Sequence, residues 1–148
     1  MGAIYAERYH DISCGHRVVG HESKCKNLHG HNYRFHFTIK GGLDKLGRVI
    51  DFGVIKTVLC EWLEQNWDHK FLLWEKDSMW DIINLKMRQS DVESFIEFPY
   101  NPTAENIARY FVEEIAPVIL KDAGYHHVEL VKLKIEETRK CSAIYEKD

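Results

Sequence analysis

The stretch "HNYRFHFTIKG", residues 31–41, does most to constrain the fold. His31, Tyr33, Phe35, Phe37 and Ile39 share one parity, and His29 falls on it too. Asn32, Arg34, His36, Thr38 and Lys40 share the other. Side chains on a strand alternate between faces, so this is a half-buried strand whose apolar face begins with two histidines. Such a face must be buried against other elements.

The flanking sequence supplies them. "AIYAERYHDISCGH" is rich enough in aromatic and β-branched residues for a strand, and the polar "RVVGHESKCKN" reads as a loop. After the turn "GGLDKLGR", the segment "GVIKTVLCEWLEQNW" has helical spacing, with a stripe of Ile55, Val58, Leu59, Trp62 and Leu63. A second helix is expected in "PTAENIARYFVEEIAPVILKDAG", with Thr103 as N-cap and Gly124 as stop. Pro117 inside it predicts a kink or break. "HVELVKLKIEE" and "CSAIYE", joined by the tight "TRK", close the chain as strands. Residues 70 to about 100 form a long excursion with a short strand at "SFIEF"; excursions of this length are often functional. The expected architecture is a single α+β domain over residues 1–148, ββααββ, an antiparallel sheet with two helices on one face. Its open sheet edges favour pairing between identical chains.

Composition excludes several classes. The 148 residues carry a formal net charge of -3, which does not suit a polybasic nucleic-acid or membrane surface. No apolar run approaches the ~20 residues of a spanning helix. "MGAIYAERYHDIS" lacks the layout of a signal peptide, and Ala6 breaks the myristoylation pattern, so a cytoplasmic protein is expected. The four cysteines, Cys14, Cys25, Cys60 and Cys141, form no CxxC pair and read as free thiols.

Nine histidines are the unusual count. His29 and His31, two apart on a strand, point to one side, and Gly30 leaves the opposite side bare. Two imidazoles so placed can share an ion at ~2.0–2.1 Å. If the first two strands pair across the loop, His16 lies opposite and completes a three-histidine set; His21 is an alternative donor on the loop. Hydrogen-bonded strand histidines are the plain alternative for any one of them, but the HxH pair with a third histidine favours a metal. Zinc suits an all-imidazole set, although iron, copper and nickel also accept imidazole.

Three further positions carry chemistry. Cys25, before the ligands and between Lys24 and Lys26, is either a thiolate base or a small loop residue. Asp68 beside His69 fits a carboxylate that orients a proton-carrying imidazole, yet helix-end capping explains the pair equally simply. Glu137 ends the apolar parity of Val131, Leu133 and Ile135. It is either solvated beyond the strand or an acceptor for a ligand with two adjacent N–H groups.

His16, "CKNLHGHNY", "IDF", "WDHKFL", "NPTAEN" and "EET" together resemble the 6-pyruvoyl-tetrahydropterin synthase / 6-carboxytetrahydropterin synthase family over nearly the whole chain. The resemblance implies the tunnelling fold (T-fold), a ββααββ unit that trimerises into a barrel, with two rings stacked as a hexamer. It implies zinc on His16, His29 and His31. It implies a proton-transfer set of Cys25, Asp68 and His69 across a subunit boundary, and Glu137 as the anchor of the pterin ring. The implied substrate is 7,8-dihydroneopterin triphosphate. The carboxy branch loses triphosphate and acetaldehyde and feeds deazaguanine (queuosine-type) synthesis; the pyruvoyl branch keeps the side chain, toward biopterin. The short chain and "NPTAEN" look more like the carboxy branch. A third branch uses a glutamate near the cysteine position, and Cys25 sets this chain apart from it. The charged insert around 74–95 is longer than the family's usual connection. A non-catalytic zinc- or pterin-binding scaffold is the alternative outside enzymes.

Overall fold

The computed structural model describes residues 2–86 and 92–148; five positions of the expected excursion, 87–91, lie outside the described residues. Strand β1 (Tyr5–His16) and strand β2 (His29–Gly41) form a long antiparallel hairpin, as the alternation required. Helix α1 covers residues 52–66. Then come β3 (Phe71–Trp74), α2 (Met79–Lys86) and β4 (Phe95–Phe98). Helix α3 covers residues 104–122, followed by β5 (Val128–Glu136) and β6 (Ser142–Glu146).

The sheet order is β4-β3-β1-β2-β5-β6. Its β1-β2-β5-β6 part is the expected antiparallel sheet, and the strand expected at "SFIEF" is present. The sequence reading missed β3. Both β3 and β4 pair parallel, so the sheet is mixed and six strands wide. β3 escaped notice because "FLLW" is a short apolar run without alternation, and such runs do not distinguish strand from helix.

The two long helices cover one face. Tyr33, Phe35, Phe37 and Ile39 of β2 are buried against Leu59 and Leu63 of α1 and Ile107, Phe111 and Val112 of α3. Burying side chains of this size stabilises by ~1.5–3 kcal/mol each before chain entropy is counted. Each helix holds one wider turn, Lys56–Cys60 and Phe111–Ile115. The second answers the expectation at Pro117. Ala116 N–H reaches back five residues to Phe111 O, and Pro117 enters the first turn of the next stretch. A missing N–H does no harm there, so the helix runs through the proline instead of breaking. Thr103 caps α3 as expected, its side chain accepting from Asn106 N–H. Among the described residues no helix is long and apolar enough to cross a membrane.

Candidate metal centre and proton-transfer residues

The hairpin register sets Cys14 opposite His31, Gly15 opposite Gly30 and His16 opposite His29. The three imidazoles therefore meet on the helix-covered face, with ring centroids 4.5, 5.1 and 4.9 Å apart. The glycine pair has its own reason. A Cβ on Gly15 would lie 2.4 Å from the Phe71 ring, so the close approach of β3 needs a glycine there.

Backbone carbonyls orient two of the rings. Nδ1 of His16 lies 2.6 Å from Pro102 O, and Nδ1 of His29 lies 2.7 Å from Asn27 O. A carbonyl only accepts, so both rings donate from Nδ1 and keep a lone pair on Nε2. His16 is fully buried, and burial pushes its pKa down to about 4. Burial, then the neighbouring His29, lowers His31 as well. Burial thus favours the neutral form of His16 and His31, the state a metal ligand needs.

Among the described residues, the buried side-chain nitrogens and oxygens without a partner are Nε2 of His16, Nε2 of His29, Nε2 of His31 and the Tyr33 hydroxyl. An orphaned buried polar group costs ~1–3 kcal/mol, so three in one place call for an occupant. The ligand atoms lie within 4.8 Å of one another, of the order one shared ion spans with bonds of ~2.0–2.1 Å. The donor set fits a divalent cation, and His21, hydrogen-bonded to Ser23 N–H on the loop, is outside the cluster.

Glu137 lies just beyond β5, its N–H donating to Cys141 O across the hairpin. Its carboxylate is 3.6 Å from His16 Nε2 and 3.9 Å from His31 Nε2. It is thus at the metal end of the site and half-buried, not solvated beyond the strand. Burial raises its pKa; His29 opposes this and Glu105 adds to it. Glu105, in the first turn of α3, is a carboxylate the sequence reading quoted in "NPTAEN" and gave no task.

Asp68 and His69 follow α1. His69 holds φ 61, a left-handed conformation uncommon outside glycine. Asp68 Oδ1 accepts from Ser13 N–H at 2.9 Å and Oδ2 from His69 Nδ1 at 2.8 Å, while His69 N–H donates to Ser13 O. The carboxylate is spent on β1 and the imidazole, so helix-end capping does not explain the pair. The His69 ring is 80% exposed, leaving Nε2 free to exchange a proton. His31, Asp68, His69, Glu137 and Arg139 line one cleft of about 870 Å³. Cys25 is not among its lining residues. It sits half-buried in a short turn, Lys24–Lys26, with its carbonyl accepting from Val18 N–H at 2.7 Å. Burial first, then charge at Cys14, Glu137 and Cys25, raises the pKa of Tyr33.

The pattern of the 6-pyruvoyl tetrahydropterin synthase family matches residues 5–148. The chain belongs to this family of enzymes. It is 37% identical over 139 residues to the 6-carboxy-5,6,7,8-tetrahydropterin synthase of Rickettsia typhi, covering 93% of this chain and 96% of the relative. It is 32% identical to the Haemophilus influenzae 6-carboxy-5,6,7,8-tetrahydropterin synthase, over 68% of this chain and 73% of that one. Its fold is the family's T-fold. The Caenorhabditis elegans 6-pyruvoyl tetrahydropterin synthase superposes with a TM-score of 0.67 at 25% identity, covering 100% of this chain and 98% of that one. An uncharacterized protein from Wolinella succinogenes superposes at 0.81 with 20% identity over the whole of both chains.

Proposed function

We propose that this chain is a zinc-dependent 6-carboxytetrahydropterin synthase. It would convert 7,8-dihydroneopterin triphosphate to 6-carboxytetrahydropterin, with loss of triphosphate and acetaldehyde, in deazaguanine synthesis of the queuosine type. The observation that carries this is the meeting of three unpartnered Nε2 atoms at the loop end of the β1–β2 hairpin. The relatives named 6-carboxy-5,6,7,8-tetrahydropterin synthase support the branch.

His16, His29 and His31 would hold the ion. When bound it supplies Lewis acidity to the substrate's side-chain hydroxyls. Cys25, as thiolate, would take the proton from the side-chain carbon next to the ring. Asp68 holds His69 by Nδ1, so Nε2 would relay protons. Glu137 would accept from substrate donors. The resemblance gives it the adjacent N–H groups of the pterin ring, and its half-buried carboxylate beside the three imidazoles supports a place for it in the substrate site.

In a single chain His69 is largely exposed and Cys25 lies off the cleft. That suits an active site completed by a second copy, in a trimeric barrel and a hexamer of two rings. The test is incubation of the zinc-loaded protein with 7,8-dihydroneopterin triphosphate and mass analysis of the products. The carboxy product with stoichiometric acetaldehyde is expected. A pyruvoyl product without acetaldehyde would transfer the chain to the branch whose name the family bears.

A further inference from the structure

The segment "NPTA" enters α3 and bonds both to its own helix and to the loop of residues 17–28. Asn101 faces Val19 with both ends of its amide: Val19 N–H donates to Oδ1 at 2.9 Å, and Nδ2 donates to Val19 O at 2.9 Å. This is the two-bond pattern of neighbouring strands, supplied by one side chain to a loop without a strand partner. Asn106 Nδ2 donates to Asn101 O at 2.9 Å and ties the clamp to the first turn of α3. One residue from Val19, Val18 N–H donates to Cys25 O at 2.7 Å. One residue from Asn101, Pro102 O orients the His16 ring at 2.6 Å. A further anchor of the loop is Arg17, whose Nε donates to the buried Asp77 carboxylate at 2.6 Å.

We infer that Asn101 is a positioning residue, a clamp that locks the loop bearing Cys25 to the backbone segment that aims His16. The loop of residues 17–28 has no ladder to hold it, and its thiol must sit at a fixed place relative to the metal. Two hydrogen bonds from a half-buried amide, itself held by Asn106, supply that restraint. The inference rests on the proposed role of Cys25 for its effect on turnover, but not for its effect on the loop.

The experiment separates the two. In a Cys141→Ser background Cys25 is the accessible thiol, since Cys14 and Cys60 are buried. Iodoacetamide alkylation of Cys25 in the zinc-loaded protein is followed across pH, so that the plateau rate reports access alone. Asn101→Ala is expected to raise the plateau rate about threefold or more. It should lower kcat by roughly 10- to 100-fold with a smaller change in KM. Metal content should stay at one equivalent and the melting temperature within about 5 °C. Asn101→Asp, nearly isosteric, keeps the acceptor for Val19 N–H and loses the donor. It should fall between wild type and the alanine variant, and it serves if the alanine variant does not fold. Unchanged alkylation in both variants overturns the clamp. Faster alkylation with unchanged turnover supports the clamp and instead removes Cys25 from the proposed chemistry.

Discussion

Two sets of histidines on this sheet behave in opposite ways. His10 and His36 each meet a carboxylate, Glu64 at 2.7 Å and Glu136 at 2.8 Å. They are ordinary partly exposed pairs. At the loop end of the same hairpin, His16, His29 and His31 have their Nε2 atoms close together with no hydrogen-bond partner. Protein interiors rarely leave one such atom unmatched. The difference teaches that it is not the number of histidines that marks the site. What marks it is the direction in which backbone carbonyls turn the rings, Pro102 behind His16 and Asn27 behind His29.

The most severe break of that comparison is His29→Ala. Loss of one of three donors should reduce metal content well below one equivalent by elemental analysis. The drop in affinity should exceed the roughly 10–100-fold that losing a partner behind a ligand costs. Stoichiometric metal in the purified variant would remove His29 from the set. Cys25→Ala comes next. It leaves the imidazoles intact, so metal should remain while turnover falls about 10²- to 10⁴-fold. Zinc retained with full turnover would remove Cys25 from the mechanism.

The two ends were not equally legible in sequence. The alternation of residues 31–41, the apolar stripe through Ile55, Leu59 and Leu63, and the HxH pair are period-based signals, and each fixed a face correctly. The link from His16 to His29 followed from hairpin register alone. What stayed hidden depends on groups far apart in the chain. Pro102 is 86 residues from His16, and Asn101 is 82 from Val19. Nothing local in "NPTAEN" announces a carbonyl aimed at a ligand. Glu137 was legible as an odd carboxylate on an apolar parity, but parity could not say what it faced. β3 was lost because its four residues carry no period, and its need for Gly15 shows only once the strands cross.

The burial of His16 gives a pH test on metal-free protein. Its folded pKa is about 4, lowered mainly by burial, against an unfolded value of ~6.5. Above the unfolded value both states are neutral and nothing is gained or lost. As pH falls through that value the unfolded chain takes the proton first, so stability declines until the folded pKa is reached. The full loss is about 3 kcal/mol, of which about 2 kcal/mol should appear between pH 7 and pH 5 in urea melts of chelator-treated protein. His16→Asn should flatten that slope. An equal slope in the variant would assign the decline to other groups.

Smaller still is Tyr33→Phe. Among the described residues the hydroxyl is the fourth unpartnered buried atom, on a ring 5.3 Å from that of His31 and 5.8 Å from that of His16. Deleting an unmatched hydroxyl without changing ring shape should leave the metal-free protein as stable or up to about 1 kcal/mol more so. A clear loss of stability would reveal a partner for that oxygen.

The mildest expected effect is at the contrasting set. His36 and Glu136 lie on the sheet face away from the helices, and the Tyr9 ring lies beside His36. The imidazole lowers the pKa of Glu136, but a pair this open to water is screened and its two side chains lose freedom in holding one geometry. His36→Gln should therefore leave the melting temperature of the isolated chain within measurement scatter and metal content at one equivalent. If instead it removed metal, the separation between the two sets of histidines would fail, because an imidazole on the opposite face would be acting on the centre. If it left metal in place but weakened self-association, the open face would be buried between copies. That would fit the proposed barrel and leave the contrast between the sets intact.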